Sequence, residues 1–183
     1  MNRMVANAER ALRQVLDLRK SERVLIVTDK ASRDVASAWG KAAAKLGADA
    51  VTWVIPEQAR PLASVPESLA ACIPGTGVVI TVFSIRLGET PFRLELVGML
   101  AGKVRRIAHC PGIDAAMMTA GGMSADFPAM ANAARELMRR LSGAVTARIT
   151  TPAGTELTMD IRRRTFVTDT EITDGGACNL PCG

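Results

Sequence analysis

Arg23-Val24-Leu25-Ile26-Val27-Thr28, followed by Asp29-Lys30-Ala31-Ser32, decides the fold. Its unbroken apolar run has strand length and no alternation, so it predicts a strand buried on both faces, as in a parallel sheet covered by helices on each side. The flanking chain supplies such helices. Upstream, Met4, Ala8, Ala11, Leu12, Val15 and Leu18 recur at spacings of three and four and predict a helix. Downstream, Asp29 or Ser32 can cap a second helix, with Val35, Ala38, Trp39, Ala42 and Leu46 as its buried stripe and Gly47 as its stop.

The alternation continues outward. Further strands are predicted at residues 50–55, 77–82 and 104–108, with a short helix over 66–73 inside a Pro-punctuated connection and another over 92–100. Phe127, Met130, Ala134, Leu137, Met138 and Leu141 then line a longer helix, which Asp126 can cap and Gly143 ends. Beyond it the period changes to two. Residues 145–151 and 155–161 alternate around Pro152-Ala153-Gly154, which predicts a β-hairpin with one wet face, and 165–168 is a candidate further strand. The fold class is therefore α/β. A doubly wound, mostly parallel sheet flanked by helices is expected over 1–143, and the start of an antiparallel hairpin domain over 144–183.

Composition narrows the function. Of 183 residues, 48% are apolar, enough for a sizeable core, and with two Trp, four Phe and no Tyr that core must be aliphatic. The net charge of +5 is spread over scattered Arg residues. The dense run Arg162-Arg163-Arg164 lacks interleaved aromatics for base stacking, so it reads as a solvated turn or an intersubunit patch and nucleic acid is not expected as a partner. The first twenty residues are charged throughout, unlike a signal peptide, and no stretch reaches the ~20 apolar residues of a membrane span. A cytoplasmic protein with reduced cysteines is the expectation.

Several chemistries lack their motifs. The turn after residue 28 has no Gly-rich dinucleotide fingerprint, no phosphate loop is present, and no Gly-x-Ser-x-Gly elbow exists. One histidine cannot build a His-rich metal site. Ligands in open α/β sheets gather beyond the carboxyl ends of the strands. His109, closing the fourth strand run, is a site candidate there, against the alternative of a hydrogen-bonded histidine packed at a strand end. Ser84 and Arg86 follow the third strand, where an Arg can grip a carboxylate bidentately, against the alternative of a solvent-facing loop. Cys110 reads as a small buried hydrophobe. Cys178 and Cys182 could join a zinc site only if Cys72 and Cys110 converged on them.

Four stretches also carry a family resemblance. They are Arg106-Ile107-Ala108-His109-Cys110-Pro111-Gly112-Ile113, Ser124-Ala125-Asp126-Phe127, Thr150-Thr151-Pro152-Ala153-Gly154-Thr155-Glu156-Leu157 and Asn179-Leu180-Pro181-Cys182-Gly183. In this order and spacing the chain resembles the amino-terminal portion of thermophilic metalloaminopeptidases of the T and S type, a family with relatives that are dihydroxypyridine ring-cleaving dioxygenases. Cys182 departs from the small or hydroxyl residue usual there. The resemblance implies a metal-dependent hydrolase acting on a small peptide or other small molecule. It places the ligands for zinc, cobalt or iron beyond Gly183 and none in this chain. Ser84, Arg86, His109 and Asn179 would form one wall of the substrate cleft. It further implies a homo-oligomer or a partner chain carrying the other half, with the iron dioxygenase branch and a non-catalytic binding or assembly module as alternatives.

Overall fold

The computed structural model describes residues 2–170, 172 and 174–181. Its elements are α1 (Arg3–Gln14), β1 (Arg23–Thr28), α2 (Arg33–Lys45), β2 (Asp49–Val54), α3 (Glu67–Ala70), β3 (Val78–Val82), α4 (Thr90–Leu100), β4 (Arg106–His109), α5 (Ala115–Thr119), α6 (Phe127–Leu141), β5 (Thr146–Thr150), β6 (Glu156–Asp160) and β7 (Gly176–Asn179). Five strands form one parallel sheet in the order β2-β1-β3-β4-β7.

The apolar run of β1 has two destinations because strand side chains alternate. Val24 and Ile26 enter a core with Leu12, Trp39 and Ala42, on the face covered by α1, α2 and α5. Leu25 and Val27 enter a second core with Leu69, Phe92 and Leu96, on the face covered by α3 and α4. Strand β3 divides in the same way, with Val78, Ile80 and Val82 in the first core and Val79 in the second. Each fully buried aliphatic side chain is worth about 1.5–3 kcal/mol over an exposed one, so both faces need their helices.

The chain partitions into one compact unit of 1–127 with 169–183 and a second of 128–168. The sequence reading instead set a boundary at 143 and placed all of 144–183 beyond it. Two facts account for the difference. Most of α6 groups with the hairpin, and the chain returns at β7, where Ile107 pairs with Ala177 and His109 with Asn179. That return covers the outer edge of β4, which would otherwise present unpaired backbone groups.

In the second unit β5 and β6 pair antiparallel, with Ala147 opposite Met159 and Ile149 opposite Leu157. The hairpin is more exposed than expected: every residue of β6 is exposed, and in β5 only Ala147 is half-buried. Residues 165–168 form no strand, and Leu137, expected on the apolar stripe of α6, is 57% exposed. Arg162 pairs with Asp160 at 2.5 Å with both side chains exposed, as a solvated turn requires. Among the described residues no helix is long and apolar enough to cross a membrane.

Candidate functional site

The strand order contains a reversal. From β1 the chain crosses to β2 on one side and later returns to β3 on the other. The connections leaving β1 and β3 therefore diverge to opposite faces, α2 to one and α4 to the other. A crevice at the carboxyl edge between these strands is where open α/β sheets bind ligands. All four candidate residues from the sequence lie along this edge, in three groups.

The first group surrounds Arg60, whose guanidinium side chain is fully buried. Its Nε donates to Glu89 Oε1 at 2.8 Å and its Nη2 to Glu89 Oε2 at 2.5 Å. The same Nη2 donates to the Ser84 carbonyl at 2.8 Å, while Nη1 donates to Ser84 Oγ at 3.0 Å and to Asp29 Oδ2. Asp29 also accepts from the Ser84 hydroxyl, from the Ser84 N–H at 2.8 Å and from the Ser32 N–H at 2.9 Å. Glu89 accepts from the Leu62 N–H at 3.1 Å. One cation thus ties together the loops after β1, β2 and β3, and every polar group it brings inside is satisfied, as burial demands. The Ser84 hydroxyl is committed to this network.

Electrostatics follow from the geometry. Burial pushes the Asp29 carboxyl up, but hydrogen bonds from the Ser84 hydroxyl and N–H, Arg60 and Ser32 outweigh it and hold the pKa at about 2, against an ordinary 3.8. Glu89 is lowered as well, first by its hydrogen bonds from Arg60, against burial, with help from the Leu62 N–H. Both folded-state values lie below the unfolded ones, so this stabilisation is complete above the ordinary carboxylate range and is lost as pH falls from about 4.5 toward 2. For Asp29 the difference corresponds to roughly 2 kcal/mol. Urea midpoints measured between pH 5 and 2 should fall for the natural chain and fall less steeply for Asp29→Asn; parallel slopes would refute the assignment.

His109 and Asn179 form the second group. They are register neighbours at the ends of β4 and β7. His109 Nδ1 and Thr81 Oγ1 are hydrogen-bonded at 2.7 Å, and the Phe83 ring meets the imidazole edge-on at 6.3 Å between centroids. Burial lowers the His109 pKa, and the positive charge of Arg93 lowers it further. The ring is therefore neutral at pH 7, and its imidazole NMR resonance should titrate with a midpoint below 6.5; a midpoint at or above that value would contradict this environment. The Asn179 backbone N–H and Nδ2 both donate to Asp169 Oδ2 at 3.4 Å.

Arg86 is the third. It is exposed and paired with Glu57 at 2.5 Å, so in this state its fork is engaged by a protein carboxylate. Sequence reasoning missed Asp29 as more than a helix cap, and missed Arg60 and Glu89 altogether. Asp29, directly after a doubly buried strand, was the available signal. Cys110 and Cys178 pack into the core on the α1 and α2 face, whereas Cys72 packs against the opposite core, so these three thiols do not converge. Cys182 lies outside the described residues. Among the described residues no three His, Cys, Asp or Glu side chains form a metal-binding group.

Fold and edge together define a doubly wound α/β unit whose carboxyl edge is the candidate ligand site. Comparison with known proteins adds particular neighbours at the level of fold. No family model matches the sequence, and no curated protein matches it. Among solved structures, the 2,5-dihydroxypyridine dioxygenase of Pseudomonas putida KT2440 superimposes with a TM-score of 0.63 at 14% identity, over 97% of this chain and 53% of that one. AmpT from Thermus thermophilus aligns with a TM-score of 0.45 at 14% identity, over 84% of this chain and 58% of that one. The chain thus spans about half the length of each.

Proposed function

We propose that this chain is the scaffold and cleft-lining portion of a metal-dependent enzyme of the aminopeptidase kind, and that its carboxyl edge forms one wall of the substrate site. The observation that carries the reading is that His109, Asn179, Ser84 and Arg86 share that edge, beside the strand reversal. The motifs in the sequence favour the hydrolase. The fold likeness to the dihydroxypyridine dioxygenase, which extends over 97% of the chain, favours a second reading in which the complete protein opens a hydroxylated ring.

In both readings a divalent metal is supplied by ligands outside the described residues, whose donors do not suit it. Asp29 and Glu89 are bound by Arg60, and the thiols of Cys72, Cys110 and Cys178 lie apart. The metal ligands would come from further polypeptide or a partner chain. What this chain contributes is positioning. Neutral His109 offers its second ring nitrogen for hydrogen bonding to a substrate, while Thr81 fixes the ring orientation through Nδ1. Arg86 can exchange Glu57 for a substrate carboxylate.

His109 is the sole histidine, so its ring resonance is a single unambiguous reporter. The chain should be titrated with 2,5-dihydroxypyridine and with leucine p-nitroanilide, with zinc, cobalt or ferrous iron present, while oxygen uptake and nitroaniline release are followed. A shifted His109 resonance without turnover is expected. Turnover by this chain alone would overturn the scaffold reading, and a His109 resonance unmoved by both compounds would overturn the cleft wall.

A further inference from the structure

The unit of residues 128–168 carries a surplus of charge that it cannot neutralise itself. It holds seven Arg, no Lys and three acidic residues, so +4 of the chain's net +5 falls within it. All three acids are already engaged. Glu136 pairs with Arg139 and Arg140, each at 2.8 Å, Glu156 with Arg148 at 2.5 Å, and Asp160 with Arg162 at 2.5 Å. Arg163 and Arg164 have no ion-pair partner among the described residues. With Asp160 and Arg162 they line a cavity of about 550 Å³.

The hairpin of the same unit is unfinished in two further ways. Ala147 stands opposite Met159 and Ile149 opposite Leu157, so these four share one face, and Ile149, Leu157 and Met159 are exposed on it. Its edges are bare as well. The Ile161 N–H donates to the Val145 carbonyl and the Thr151 N–H to the Thr155 carbonyl, both at 3.0 Å. Antiparallel alternation then turns the backbone groups of Thr146, Arg148 and Thr150 outward on β5, and those of Glu156, Thr158 and Asp160 outward on β6. Among the described residues neither edge has a further strand beside it. A two-stranded sheet is marginal in water, and bare edges are templates for another strand.

Charge distinguishes the edges and the possible occupants. Glu156 and Asp160 lie along β6, whereas the one charged residue of β5 is Arg148. A second copy of this unit would bring the same surplus of Arg and no free carboxylate. An anionic bilayer would match the charge and the apolar face, but unpaired backbone groups are costly in hydrocarbon. A strand of opposite charge satisfies all three features.

We infer that the β5 edge takes up an extended segment of another polypeptide in which acidic and apolar residues alternate. Its main chain pairs with Thr146–Thr150, and its apolar side chains extend the face of Ala147 and Ile149. Its carboxylates near the Val145 end meet Arg163 and Arg164, which the Ile161–Val145 bond holds at that end of the hairpin. Main-chain pairing supplies affinity and the cations select the sign of the partner. The inference stands on this unit alone and holds whichever reaction the carboxyl edge of the parallel sheet serves.

Three capped heptapeptides test it by NMR titration of the whole chain: glutamate alternating with valine, lysine alternating with valine, and the glutamate peptide with its central backbone nitrogens methylated. The glutamate peptide should bind saturably with a Kd of about 1 mM or below and shift the amides of residues 145–150. The lysine peptide should bind about tenfold more weakly, and the methylated peptide, which cannot donate to the edge, more weakly still. Arg163→Glu with Arg164→Glu changes two exposed side chains, so the fold should persist while the glutamate peptide binds about fivefold more weakly. Phosphatidylglycerol vesicles should leave the chain in the supernatant on sedimentation. A lysine or methylated peptide bound as tightly as the glutamate peptide, shifts centred elsewhere, no saturation, or unaltered binding by the double variant would each overturn the inference. Sedimentation with the vesicles would assign the surface to lipid and overturn it too.

Discussion

Replacing Arg60 with Met should lower the unfolding free energy of the α/β unit by about 3–5 kcal/mol, among the largest single-residue effects in the chain. The arginine side chain is wholly buried between two carboxylates, Asp29 with none of its side chain exposed and Glu89 with 1% exposed. Removing it leaves two negative charges inside with no counter-ion, and removes five hydrogen-bond donors from three loops at once. The size of the loss comes from what remains behind, not from the strength of the pair. Replacing all three together, as Arg60→Met with Asp29→Asn and Glu89→Gln, should therefore recover part of the loss, because the stranded charges go with their partner. Urea unfolding at pH 7 reads both effects as shifts in midpoint at constant slope. A loss below about 1 kcal/mol for Arg60→Met, or a triple variant less stable than the single one, would show that the cluster is not the buried charged knot described here.

What could be read in the sequence follows from where each element takes its stability. β1 and β3 were legible because both faces of each strand demand apolar residues, so every position carries signal. β7 was not. Gly176-Ala177-Cys178-Asn179 contains no large apolar residue, and its pairing depends on the free edge of β4, a feature that exists only after folding. Helix α5 is five residues long, too short for a periodic stripe, and the sequence reading passed over both it and its capping residue, Asp114. The candidate site divides in the same way. Strand ends placed Ser84 and His109 at the carboxyl edge. Arg60 sits in a Pro-rich connection that reads as loop, and its partners stand 31 and 29 residues away along the chain, so no local pattern could join them. Arg86 shows the limit most clearly: an exposed Arg at a sheet edge has the same sequence whether it faces solvent, a substrate or Glu57.

Trp39 supplies the second large effect, and its two substitutions should differ sharply. The ring is fully buried in the core beneath α1 and α2, yet its Nε1 finds no acceptor among the described residues. Trp39→Ala should cost about 3–5 kcal/mol, since it forfeits the apolar burial and opens a cavity that a sheet-backed core cannot collapse into. Trp39→Phe should lie between no change and about 2 kcal/mol of added stability. The smaller ring loses roughly 40 Å³, a penalty of about 1 kcal/mol, but it also removes a buried donor whose lack of a partner costs about 1–3 kcal/mol. The two contributions oppose each other, so the sign of the Phe variant is the informative quantity. If Trp39→Phe destabilised the chain by about 3 kcal/mol, close to the alanine variant, the indole N–H would have to be satisfied in solution and the packing of α2 on β1 would need a different account.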